Sequence, residues 1–123
     1  MINKLSIQSI LVLALSTVFS HAMAANDLSN AEANTMIKED LASTQVMSET
    51  CPILMGKNAQ FDSNIQQLIA ASLADYVGQK PTLAQLQSDT EYKEILAETR
   101  NNAKNIDSAE QKSACDDILN YTP

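Results

Sequence analysis

From residue 29 onward, apolar positions recur at three- and four-residue steps and seldom alternate. Such spacing marks one face of a helix, whereas strict alternation would mark a half-buried strand. Ala33, Ile37, Leu41, Thr44 and Met47 form the first face, predicting a helix that starts near Ser29. Ser29 and Glu32 stand at the spacing at which each side chain satisfies the other's backbone N–H at a helix start. Pro52 has no N–H and crowds the turn before it, so it should end or kink this helix, with Gly56 closing the corner.

Phe61, Ile65, Leu68, Ile69, Ser72, Leu73 and Tyr76 predict a second helix from about Asp62 to Val77, stopped by Gly78. Pro81 and Thr82 open a short helix carrying Leu83 and Leu86, with Thr82 as its N-cap. Ser88 and Glu91 have the capping spacing again, before a helix lined by Tyr92, Ile95, Leu96, Thr99 and Ala103. Asp107-Ser108 breaks that helix. Ser108 with Gln111 should cap the last one, which carries Cys115, Ile118 and Leu119 and ends near Tyr121. The fold expected is all-α, a compact bundle of four to five short antiparallel helices, since short connections favour antiparallel neighbours.

The first 24 residues follow a different pattern. Lys4 precedes a mostly apolar run from Leu5 to Phe19, and Ala22-Met23-Ala24 offers small residues where a signal peptidase reads. The run is interrupted by Ser6, Gln8, Ser9 and Ser16, and a membrane span needs about 20 apolar residues. The expectation is a cleaved signal peptide, 1–24, and a single helical domain, 25–123, that is periplasmic or secreted after cleavage near Ala24/Ala25, with no membrane insertion thereafter.

Export changes the composition. Lys4 and His21, the only histidine, leave with the signal. The mature chain keeps 7 of the 8 basic residues and all 15 acids, a net charge of -8. This balance argues against nucleic acid as partner and suits a basic protein.

Cys51 and Cys115 are the only cysteines. An even pair in an exported chain points to one disulfide. Phase agrees: Cys115 lies one turn before Ile118 and Leu119, and Cys51 extends the face of Ile37, Leu41, Thr44 and Met47. A free or intermolecular thiol is the competing possibility. Redox catalysis favours Cys-x-x-Cys, which is absent, and zinc wants about four Cys, His or acid ligands.

Without histidine the mature chain lacks the commonest general base and every Ser-His or Cys-His pair. Its two glycines are too far apart for a phosphate loop. Glu91, Glu94 and Glu98 share one helix face, and carboxylates so placed could hydrolyse a glycoside or bind a hard cation, although a solvated helix face has the same pattern. Phe61, Tyr76, Tyr92 and Tyr121 are expected in the core, with Tyr121 near enough to the terminus to be exposed, and Met36, Met47 and Met55 are expected to fill core gaps, the alternative being an adaptable binding surface. No catalytic residue, metal ligand or cofactor is therefore assigned. The function expected is non-enzymatic binding of another protein, as inhibitor, immunity protein or chaperone. The alternatives are a small carboxylate-dependent hydrolase or a structural subunit of an envelope assembly.

Overall fold

Five helices follow one another in the computed structural model, which describes residues 28–123. They are α1 (Asn30–Met55), α2 (Ala59–Ala74), α3 (Leu83–Leu86), α4 (Thr90–Ala103) and α5 (Ser108–Leu119). There is no strand among the described residues, so the all-α expectation holds. The expected signal peptide and its cleavage point lie outside the described residues. Among the described residues no helix is long and apolar enough to cross a membrane.

Contacts place the described residues 28–32 in one unit and 33–123 in a second. In the first, Ser29 caps the start of α1 as its spacing predicts: its backbone N–H donates to Glu32 Oε2 at 2.8 Å and Glu32 N–H donates to Ser29 Oγ at 3.3 Å.

In the second unit, α1 is longer than the sequence pattern implies, because Pro52 neither ends it nor stands at its boundary. A proline costs a helix one hydrogen bond and a clash with the turn before it. Here only one further turn follows. That turn closes where Gly56, at φ 77°, donates its N–H to the Pro52 carbonyl at 3.0 Å. A left-handed residue at a helix end is what glycine tolerates best.

Four other boundaries differ from expectation. Helix α2 begins at Ala59 because Asn58 Oδ1 accepts from the N–H groups of Gln60 and Phe61. It ends at Ala74, ahead of Gly78, and Val77 is bound instead by Asn34 of α1, whose amide donates to its carbonyl and accepts from its N–H. Helix α4 is capped by Asp89, which accepts from Tyr92 N–H at 2.9 Å, not by Ser88. Helix α5 takes Asp107 as its N-cap position without a side-chain cap, and Gln111, expected to pair with Ser108, donates to the Ala103 carbonyl. Thr82 caps α3 as expected and also receives Gln85 at its own N–H.

The core has two centres. Leu41, Ala42 and Val46 of α1 meet Leu86, Tyr92 and Leu96, with Ile69 and Leu73 of α2 alongside. Cys51 of α1 meets Phe61, Ile65 and Cys115, with Met47, Met55, Ile118 and Leu119 around them. At 100° per residue, Ala42 and Val46 lie about 160° around α1 from the face holding Met47, Cys51 and Met55, while Leu41 lies about 80° from Cys51. Helix α1 therefore buries, at its middle, a side opposite to the face it buries at its end.

The disulfide joins Cys51 to Cys115, whose Cα atoms are 5.6 Å apart and which are both fully buried. It ties the end of α1 to α5, as the helical phase of the two thiols predicts. Phe61 and Tyr92 are core residues, as are Met47 and Met55 at its edge. Met36 is not, being 53% exposed.

Candidate functional site

The structure divides the acidic face of α4: Glu91 is engaged by α1, whereas Glu94 and Glu98 stand exposed. Glu91 turns to α1, where Lys38 Nζ donates to Glu91 Oε2 at 2.7 Å and to Asp89 Oδ1 at 3.2 Å, while Thr35 Oγ1 donates to Glu91 Oε1. Glu94 and Glu98 remain exposed further along the helix. Among the described residues no three acidic, His or Cys side chains could hold a metal together.

Lys38 is buried, which a single ammonium tolerates only with counter-charges at hand. Burial works against its charge, but the bonds to Glu91 and Asp89 outweigh burial and its pKa is raised. Glu91 is held below its ordinary value by Lys38 and then by Thr35. Asp89 is lowered chiefly by the Tyr92 N–H, with Lys38 adding to it. This cluster is an internal fastening of α1 to α4.

The surface that stands open lies where α1, α4 and α5 come together. Ile53 and Thr50 from the end of α1, Arg100 and Lys104 from the end of α4, and Ile106 from the turn into α5 line a groove of about 460 Å³. Ile53 is 82% exposed and Ile106 44% exposed, two large aliphatic side chains at one groove. Burying such surface releases about 25 cal/mol per Å². Cys51 lies two residues before Ile53, so the disulfide holds the turn that presents it.

A fork of hydrogen bonds crosses the groove. Arg100 Nε donates to Glu49 Oε2 at 3.0 Å and Arg100 Nη2 donates to Glu49 Oε1 at 2.6 Å. Arg100 holds the Glu49 carboxyl below its ordinary pKa. Both side chains are nearly half exposed, so solvent screens the pair. Arg100→Ala should lower unfolding stability by less than about 1 kcal/mol in a urea titration; a loss of more than about 2 kcal/mol would show that the pair is effectively buried.

A second, more polar groove of about 480 Å³ runs beside Gln45, Ser48, Asp62, Gln66 and Gln87. Neither groove is lined by Glu91, Glu94 or Glu98.

Sequence reasoning did not find Ile53 and Ile106 as a pair. They are far apart in sequence, and no periodicity links a helix end to an interhelical turn. Nor did it find Lys38 or Asn64, whose burial follows from tertiary partners alone.

No curated protein and no solved structure matches the chain. One family model does match, over residues 37–118, a span that holds both cysteines, Lys38 and the groove. The chain thus belongs to the family described as the domain of unknown function DUF7944.

Proposed function

We propose that the chain is exported, loses residues 1–24 and works in the periplasm or outside the cell as a non-enzymatic module that binds another protein, as inhibitor, immunity protein or chaperone. The observation that carries the binding role is the groove at the disulfide-held corner, with Ile53 and Ile106 open to water and charged side chains beside them. Exposed aliphatic side chains with a polar rim are the ordinary anatomy of a protein-docking surface. Export is supported by the amino-terminal pattern and by the disulfide, a bond that persists in oxidising compartments. The acidic net charge favours a basic partner surface around that anchor.

The test has two arms. Mass spectrometry of the periplasmic fraction should find a chain beginning at Ala25; an intact chain confined to the cytosol would refute export. Immobilised protein should then retain a stoichiometric partner from periplasmic extract, and Ile53→Asp should lose at least about tenfold of it, on the scale of about 1.4 kcal/mol for one anchor residue. Because Ile53 is so exposed, its replacement should leave stability within about 0.5 kcal/mol. Equal retention by the variant would remove the groove from the function.

A further inference from the structure

The fastenings on the two faces of α1 differ in kind. Toward α4, the side-chain links are Lys38 to Asp89 and Glu91, Thr35 to Glu91, Arg100 to Glu49, and the Tyr92 hydroxyl to Gln45 Oε1. All but the last run through a carboxylate. On the α2–α5 side the links are the Cys51–Cys115 disulfide, the Asn34 amide, which pairs with the backbone of Val77, and the Asn64 amide, which joins α2 to α5 by donating to the carbonyls of Ile118 and Leu119. None of these takes up a proton in acid.

We propose that acid releases α4 from α1: protonation of Asp89, Glu91 and Glu49 opens the α1–α4 seam and the adjoining groove, while the half held by the disulfide and Asn64 keeps its fold. The driving force is Lys38. Its side chain is 9% exposed, against 39% for Asp89 and 46% for Glu91. Protons therefore reach the carboxylates from solvent, and the ammonium is left in the interior without counter-charge. Removing one partner from a buried pair is far costlier than never having formed it. The stranded ammonium regains hydration only if α4 moves away.

The groups facing the two cations are few. Lys38 is faced by Asp89 and Glu91 at the start of α4 and by the Tyr76 phenol beyond α2, while Thr35 of its own helix donates to Glu91. Arg100 is faced by Glu49 of α1 and by Tyr92 of α4. Phenols as a class titrate near pH 10, so the carboxylates are what changes in acid. Asp89, Glu91 and Glu49 all have depressed pKa values. Their contribution is in place above the ordinary carboxylate range and is lost as pH falls below about 4. Asp89 adds to the effect, because its protonation also weakens the N-cap of α4.

The opening does not depend on the partner proposed above, and hydrogen exchange on the intact, oxidised chain reads it directly. Corrected for intrinsic rates, amides of α4 should lose at least about 100-fold protection between pH 7 and pH 3, while α2 and α5 remain at least about 100-fold slower than free chain. Loss of protection in all helices together, or an α4 that stays protected at pH 3, would overturn the proposal. Lys38→Met removes the stranded charge and keeps the stem. Its α4 should be at least about tenfold better protected than wild type at pH 3, and an unchanged acid profile would rule out Lys38 as the cause.

Discussion

Reduction of the Cys51–Cys115 bond is expected to cost about 4 kcal/mol of unfolding free energy on the chain-entropy model. The bond closes a loop of 64 positions, and its absence returns that freedom to the unfolded chain. Small domains are stable by only about 5–15 kcal/mol, and this one divides few fully buried side chains between two centres. A loss of this size corresponds to a fall in Tm of roughly 15–30 °C for a domain of this length. Calorimetry of oxidised and reduced protein measures it, and Cys51→Ala with Cys115→Ala should fall at least as far, since it also removes packed sulfur. A shift below about 1 kcal/mol would mean that the reduced, unfolded chain is already restrained. The only two cysteines are bonded to each other, so thiol reagents should label nothing in native protein without reductant.

The second large effect is expected at Asn64. This side chain is 1% exposed and fully engaged: Nδ2 donates to the Ile118 carbonyl at 2.8 Å and to the Leu119 carbonyl at 3.1 Å, and Oδ1 accepts from Gln60 at 2.9 Å. The last carbonyls of a helix have no partner within it, and Asn64 supplies one from α2. Asn64→Leu keeps the branched shape but removes both bonds, leaving the Leu119 carbonyl without this partner while Ile118 keeps the Tyr121 N–H, a loss of about 1–3 kcal/mol. Asn64→Asp should be worse at neutral pH, because it sets a carboxylate against two carbonyl oxygens. The variant's acid would then have a raised pKa, so its loss of stability relative to wild type should be smallest below about pH 4 and grow as pH rises. That slope is opposite to the one expected of the wild-type carboxylates. Equal stability of Asn64→Leu and wild type in denaturant titration would show that water replaces the amide.

How much of this was legible in the sequence depends on what kind of partner each residue finds. Helices α2, α4 and α5 were readable because each buries a single face, and Phe61, Ile65, Tyr92, Leu96 and Cys115 stand on it. The disulfide was readable because the expectation of export and the helical phase of the two cysteines pointed the same way. Helix α1 was only half readable. A search for one stripe follows Ile37, Leu41, Met47 and Cys51 and passes over Ala42 and Val46, which are buried on the other side. Lys38 was missed for a related reason: a lysine is taken for solvent-facing unless its counter-charges, here more than 50 positions away, are known. The caps failed where two candidates were adjacent. Ser88 has the right spacing to Glu91, but Lys38 draws Glu91 off and Asp89 takes the cap. The groove was not legible, because three separate elements build it.

The two-faced burial of α1 has a consequence for how the chain can vary in length. Within most amphipathic helices a one-residue insertion near one end can be absorbed by fraying the terminal turn. Between Val46 and Cys51 it cannot, because each added or deleted residue rotates everything beyond it by about 100°. The Tyr92 side would keep its contacts while Cys51 swung away from Cys115, or the reverse. The few residues between the two centres act as a phase coupling of fixed length. Point substitutions at exposed Glu49 leave that coupling intact, whereas any insertion or deletion there would set one half of the domain against the other.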